Sequence, residues 1–274
     1  MSTVLITGAS SGFGEAIAHA FLDAGHSVVA TMRDPAKAPV ALKARIGPQL
    51  SISQLDVVDP DARRRAVADF MNTHSRLDVL INNAGIAPRT GLEDTPNDLL
   101  RQVFETNYFG PCELMRLVLP IMREQGGGRI VNMSAIGAIL TTPLMNAYCS
   151  SKHALDSTSA ALDLEVRPFG IRVTSVLPGR YATALGAKSP QPPTSAPYIP
   201  MRDYMDRGRA AAGPAPTDLT PVTEATLKAA TDPDPLSRYL VTGGLASTLV
   251  DILPELERLH EFEARRAGVG AAAG

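Results

Sequence analysis

The chain has 274 residues, 26 Lys and Arg against 28 Asp and Glu, and two cysteines, Cys112 and Cys149. That balance excludes the basic footprint of a nucleic-acid-binding protein, and two thiols do not make a secreted disulfide framework. No apolar run approaches the ~20 residues of a membrane helix, and no charged leader precedes the first apolar run, so a soluble cytoplasmic protein is expected.

Apolar runs of strand length alternate with segments of helical period. In chain order, residues 4–7, 27–32, 50–55, 77–82, 129–134 and 171–177 predict strands. They are runs of Val, Ile and Leu without a polar face, the pattern of strands covered on both sides. Between them, 12–24, 60–73, 96–124 and 147–168 predict helices. Strand and helix in alternation predict one α/β domain over 1–274, a doubly wound (Rossmann) parallel sheet of about seven strands with helices on both faces. After Leu177 the pattern breaks, and nine of the 22 prolines fall between Pro178 and Pro221. Proline cannot donate to a sheet ladder, so 181–220 is expected to be a mobile loop over the strand ends, closing on substrate. A helix at 219–230, a short strand at 237–241, a terminal amphipathic helix at 245–267 and a frayed Ala-Gly tail complete the chain.

The first strand runs into Thr7-Gly8-Ala9-Ser10-Ser11-Gly12-Phe13-Gly14, where the first helix begins. A diphosphate must approach this backbone within hydrogen-bond distance, and glycine removes the Cβ that would block it. The free N–H groups and the positive dipole end of the helix then hold the anion. Gly14 would let the helix pack closely on the strand. The spacing differs from the usual Gly-x-Gly-x-x-Gly dinucleotide motif.

Four further segments accompany this loop: Asn82-Asn83-Ala84-Gly85 after the fourth strand, Asn107 within Glu105-Thr106-Asn107-Tyr108-Phe109-Gly110, Ser134 with Tyr148-Cys149-Ser150-Ser151-Lys152, and Pro178-Gly179 after the sixth strand. In this order and spacing, from residue 3 to about 183, the chain resembles the single-domain branch of the short-chain dehydrogenase/reductase family. Past Thr183 the likeness fades.

Tyr148 and Lys152 lie four apart, on one face of a helix. A phenol of pKa ~10 is a poor base at neutral pH, and a nearby ammonium together with an oxidised nicotinamide would lower it. The resemblance implies that Tyr148 exchanges a proton with the substrate oxygen and that Lys152 lowers its pKa and binds the nicotinamide ribose. It likewise implies that Ser134 orients the substrate oxygen and Asn107 supports a water-linked proton relay. Cys149 should point about 100° away from Tyr148 on the helix and is expected to be a buried or idle thiol. None of the five histidines has metal-ligand spacing, so no metal is expected, and no serine lies in a nucleophile elbow.

An NAD site usually places an acid at the end of the second strand. Here Met32 stands at that position and Arg33 follows; a guanidinium pairs well with a 2′-phosphate. NADP(H) is therefore expected in preference to NAD(H), although Asp34 could fold back onto Arg33, and Ser11 stands where some NADP-binding relatives carry a basic residue. By resemblance, Asp56 and Val57 contact the adenine, Asn83, Ala84 and Gly85 line the adenine-ribose side, and Pro178, Gly179 and Thr183 hold the nicotinamide amide. The cofactor-binding set also takes in Gly8, Ser10, Ser11, Gly12, Phe13, Gly14, Tyr148 and Lys152.

The expected partner is a small carbonyl or alcohol substrate. Leu185, Tyr198, Ile199, Met201, Tyr204 and Met205 in the 181–220 segment suggest an apolar one, while Arg202, Arg207 and Arg209 are either surface charges or recognise an acid group. The helices at 96–124 and 147–168 resemble the pair through which relatives form homodimers and homotetramers; the tail after Gly244 lacks the usual family ending, which favours the dimer. Rival readings are a non-catalytic NADP(H) sensor, whose mark would be a lost Tyr, Lys or Ser, an NAD-dependent alcohol dehydrogenase, and an extended-branch nucleotide-sugar enzyme, which needs a larger C-terminal region.

Overall fold

In the computed structural model, which describes residues 1–242 and 253–266, seven strands form one sheet in the order β3-β2-β1-β4-β5-β6-β7. These are β1 Thr3–Ile6, β2 Ser27–Met32, β3 Leu50–Gln54, β4 Val79–Asn82, β5 Gly128–Met133, β6 Ile171–Pro178 and β7 Arg238–Val241. Every adjacent pair is parallel. The strand order reverses between β1 and β4, the switch point of a doubly wound sheet.

Alternate residues of each strand feed opposite cores. Val4 and Ile6 pack with Ile17 and Phe21 of α1 (Gly12–Asp23) and Val222 of α9 (Thr220–Thr231). Leu5 and Leu80 pack instead with Phe70 of α3 (Pro60–Thr73), Leu114 and Val118 of α5 (Gly110–Glu124) and Leu155 of α6 (Asn146–Val166). Burying both faces is why these strands lack a polar stripe. Among the described residues, no helix is long and apolar enough to cross a membrane.

Two expectations need correction. The helix expected over 96–124 is two helices, α4 (Asn97–Phe104) and α5, joined by a π turn at Glu105–Phe109. Pro111 has no N–H to return to residue 107, and Gly110 N–H reaches back to Glu105 O instead. The 181–220 segment is not a plain loop: it contains α7 (Leu185–Lys188), a 3₁₀ turn at Ala196–Tyr198 and α8 (Ile199–Ala211). Pro197 and Pro200 fall in the first turns of these elements, where a missing N–H costs nothing. A short helix, α2 (Val40–Lys43), has no counterpart in the sequence reading. The terminal helix α10 spans Leu253–Arg266; residues 245–252 of the expected helix, and the Ala-Gly tail, lie outside the described residues.

Buried Asp163 on α6 fastens the far end of the sheet. Its carboxylate accepts from Arg172 Nε at 3.0 Å, Val173 N at 2.8 Å, Arg167 Nε at 2.9 Å and, in α10, His260 Nε2 at 3.0 Å. Burial alone would raise the Asp163 carboxyl, but His260, Arg172 and the Val173 amide outweigh it and hold it well below the usual carboxylate range. The stability this contributes is present above the unfolded carboxylate pKa and is lost only as pH falls below it. Asp163→Asn should lower unfolding free energy by about 3 kcal/mol at pH 7, because it leaves Arg167 and Arg172 only the exposed carboxylates of Glu261 and Asp234 and removes the buried charge they surround; urea denaturation unchanged from the parent would show that the network is dispensable.

Candidate active site

The groove at the carboxyl ends of β1, β2 and β4 is built on glycine. Gly8 has φ +69° and Gly12 φ +60°, left-handed conformations that side chains rarely adopt. A Cβ on Gly8 would lie 2.7 Å from Ala84 Cα, so the loop rests flush on the end of β4. Thr7 Oγ1 accepts from Asn83 N at 2.9 Å and Ala84 N at 3.0 Å, while Asn83 Nδ2 donates to Thr7 O and Gly8 O at 2.9 and 3.0 Å. No side chain caps α1, so its first N–H groups face the groove unclaimed. This cradle, which any added Cβ would fill, fits a diphosphate.

The groove is lined by Gly8, Ser10, Ser11, Gly12, Phe13, Arg33, Asp56, Val57, Asn83, Ala84, Gly85 and Thr183, while Tyr148 and Lys152 of the expected cofactor-binding set are not among its lining residues. Three expected residues shape it from behind. Gly14 packs against Gly8 O and Asn83 Nδ2, leaving no room for a side chain. Pro178 is buried at the end of β6, and Gly179 N donates to Val241 O at 2.7 Å, flush against Thr242. Arg33 is exposed and has no ion-pair partner among the described residues. Asp34 does not fold back on it: that carboxylate accepts from Ala36 N at 3.0 Å and pairs with Lys37 at 3.3 Å. Asp56 Oδ1 accepts from Val58 N at 3.2 Å.

Beyond Gly85, Ser134 follows β5, with its Oγ 3.4 Å from Lys152 O. Lys152 is buried and its Nζ donates to Met133 O at 2.6 Å. Asn107, in the π turn, has no exposed surface. Its Oδ1 accepts from Ile86 N at 2.9 Å, and its Nδ2 donates to Ile86 O at 2.9 Å and Ser151 Oγ at 3.0 Å. Ser151 Oγ in turn donates to Tyr148 O at 2.7 Å. A Cβ at Gly85 would lie 3.3 Å from Asn107 Oδ1 and 3.8 Å from Lys152 Nζ, so the Asn83-Ala84-Gly85 segment borders both. Ser134 is thus tied to Lys152, and Asn107 is tied through Ser151 to the backbone of Tyr148. Cys149 is buried against Gly137, as expected of an idle thiol.

Electrostatically the cluster departs from the expected lowered phenol. Burial raises the Tyr148 hydroxyl above its ordinary value and pushes the Lys152 ammonium down to about 8. One N–H of the ammonium is donated to the Met133 carbonyl, and desolvation penalises both charged forms.

Sequence reasoning missed Ser151, Arg63 and two lid residues. Arg63 Nη1 donates to Val57 O at 2.5 Å and holds that part of the groove wall. Ser189 Oγ accepts from Ala87 N at 2.7 Å, and Lys188 Nζ donates to Ser11 Oγ at 2.8 Å, drawing α7 over the groove. Ser151 had a signal: a serine inside a helix, on the side toward Asn107, needs a partner once buried.

A glycine cradle opening at the switch point of a doubly wound sheet defines a dinucleotide-binding α/β protein. The chain belongs to the short-chain dehydrogenase family: the family model described as short chain dehydrogenase matches residues 2–193. It is an oxidoreductase of a family that binds a nicotinamide cofactor. It is 38% identical over 192 residues to the uncharacterized oxidoreductase YusZ of Bacillus subtilis, covering 68% of this chain and 67% of that protein. It is also 38% identical over 180 residues to 3-ketodihydrosphingosine reductase of Bacteroides thetaiotaomicron, covering 66% of this chain and 64% of that protein. The crystal structure of a short-chain dehydrogenase from Streptomyces avermitilis superposes with a TM-score of 0.79 at 34% identity, covering 97% of each chain. The 3-ketoacyl-(acyl-carrier-protein) reductase of Brucella melitensis, complexed with NADH, superposes with a TM-score of 0.73 at 26% identity, covering 89% of this chain and 97% of that one.

The buried Lys152 carries a testable cost. Its folded pKa lies below the unfolded value of 10.5, so above about pH 8 the unfolded chain binds more protons at this site and stability rises with pH. From pH 7 to 10, without cofactor, the stability of the parent relative to Lys152→Met should rise by about 3 kcal/mol, the linkage of a shift this size. A difference that stays flat across this range in urea titrations would mean the ammonium is solvated.

Proposed function

We propose that the protein transfers a hydride between NADP(H) and a carbonyl or secondary-alcohol carbon, with Tyr148 as the general acid–base. The observation that carries this reading is the placement of the motif residues beyond Gly85: Ser134 bonds to the Lys152 backbone, Lys152 Nζ to Met133 O, and Asn107 through Ser151 to the Tyr148 backbone. When bound, the nicotinamide supplies or accepts the hydride. Tyr148 gives its proton to the carbonyl oxygen in reduction and takes it back in oxidation, so each turnover moves one hydride and one proton. Ser134 donates to the same oxygen and fixes its position.

Lys152 spends one of three N–H donors on Met133 O, leaving two for the cofactor's ribose hydroxyls and for lowering the cost of phenolate. Asn107 holds Ile86 and α6 in register, and the second lone pair of its Oδ1 supports a water-linked relay past Lys152. At the other end of the groove, Arg33 receives the 2′-phosphate that makes NADP(H) the preferred cofactor, and the freedom of its guanidinium from Asp34 supports this. Reduction is the expected direction. The apolar side chains of the 181–220 segment support a largely apolar substrate; Leu185 lines the groove and Tyr198 stands at Gly91. A homodimer through α4–α5 and α6 completes the reading, and elution as a monomer in size-exclusion chromatography would remove it.

Tyr148→Phe should bind NADPH as the parent does, by nicotinamide fluorescence, while turnover falls at least 10²-fold, the contribution of a positioned acid–base. Retained turnover would end the assignment. In the same titration, Arg33→Ala should weaken NADPH by about 1.5–3 kcal/mol and leave NADH binding unchanged. Parent protein that binds NADH as tightly as NADPH would make this an NAD-dependent dehydrogenase instead.

A further inference from the structure

Beside the catalytic cluster lies a group of guanidinium side chains with too few acceptors. Thr90 forms an isolated parallel bridge with Met145, the residue that precedes α6 and stands three before Tyr148. Arg89 is therefore carried to the mouth of the substrate side. From α8, Arg209 Nη2 comes within 3.8 Å of Met145 Sδ, and Arg202 Nη2 donates to Arg89 O at 2.6 Å. Arg180 follows Gly179 at the end of β6 and faces Arg209.

One carboxylate is paired with this group among the described residues: Asp206, half-exposed, accepts from Arg89 Nη1 at 2.5 Å. Asp94 lies near Arg202 but is claimed by the Ser195 backbone at 3.0 Å, and Glu93 accepts from Tyr198 at 2.8 Å. Arg89 Nη2 and Arg202 Nε are buried without any hydrogen-bond partner, and Arg180 has no hydrogen bond or ion pair among the described residues. Buried donors without acceptors are costly, and like charges this close repel. Burial, with Arg89 and Arg180 nearby, pushes the Arg209 guanidinium below its ordinary value, as such crowding requires. An anionic oxygen group beside them offsets the accumulated positive charge, and guanidinium forks match its geometry.

We infer that Arg89, Arg180, Arg202 and Arg209 form an oxyanion-binding pocket beside Tyr148, so that the substrate carries a carboxylate or phosphate group on the body whose carbonyl is reduced. This deepens the hydride-transfer reading and rests on it. Arg89 and Arg202 supply positive charge from behind, their unpartnered nitrogens enclosed. Arg180 and Arg209 supply charge at the rim and draw the substrate in. Asp206 holds Arg89 in place.

The test uses the full chain with NADPH and a length series of oxo-carboxylates, their methyl esters, and phosphate esters of hydroxyketones. The best anion should exceed its neutral counterpart in kcat/KM at least tenfold, about 1.4 kcal/mol; the carboxylate and phosphate arms identify which anion fits. That anion-to-ester ratio should fall toward one in Arg209→Ala and Arg180→Ala, and hold in Arg207→Ala, an exposed arginine of the same helix outside the group. Esters that match or beat the acids, or a ratio untouched by Arg209→Ala, would overturn the pocket while leaving hydride transfer intact. A second readout needs no turnover: saturated carboxylates of the same lengths should raise the melting temperature of the parent but not of Arg209→Ala. If no carbonyl is reduced yet this shift is seen, the pocket stands and the hydride reading fails. If neither is seen, both fail.

Discussion

The contact of Gly8 on Ala84 governs the geometry of everything in the groove. Four hydrogen bonds between Thr7, Gly8, Asn83 and Ala84 hold the end of β1 against the end of β4. Because this is where the strand order reverses, the helices on either side of the contact diverge and leave a crevice. A side chain at Gly8 would push the two strand ends apart, and the α1 N-terminus would no longer face the crevice. Sterics at one Cα therefore decide whether the sheet has a binding site at all.

Behind the crevice, polar groups are buried in series. Asn82 Nδ2 donates to Asn132 Oδ1 at 2.8 Å, and Asn132 Nδ2 donates to Ser159 Oγ at 2.8 Å, linking β4, β5 and α6. Such a chain adds little stability when satisfied and is costly when broken. Its effect is to fix α6 against the sheet, and α6 carries Tyr148 and Lys152. The same helix holds an ammonium that burial disfavours, so the site is one place where the fold gives up stability for chemistry. Asp163, at the other end of α6, offsets this with a carboxylate whose surroundings favour its charge.

Much of this was legible in the residues. Strands whose both faces are buried show as unbroken Val, Ile and Leu runs, and each of the seven lies within two residues of its expected bounds. The glycine loop after β1 and the Tyr148 to Lys152 spacing on α6 were readable because close backbone packing and a shared helix face need particular residues at fixed separations. What escaped has physical causes. A five-residue π turn barely shifts a helical period, so 96–124 read as one helix. The prolines after Pro178 were read as breakers although Pro197, Pro200 and Pro221 begin elements, a position where proline is favoured. Ser189 and Lys188 act across more than a hundred residues of chain, on Ala87 and Ser11, and no local pattern announces such pairs. The amide of Asn107 was legible by resemblance, but its grip on the Ile86 backbone belongs to the tertiary structure.

The reversal of strand order also has a consequence in time. β2, one neighbour of β1, is in place early in the chain, but β4, the other, begins with Val79 paired to Val4, a separation of 75 residues. Closing so long a loop costs entropy before any contact is made, and topologies dominated by distant pairings fold slowly. A nascent chain thus displays Val4, Leu5 and Ile6 with one edge open until a further stretch of about a quarter of the polypeptide has been made. The strand that delivers the phosphate loop is synthesised first, and it waits for its second wall.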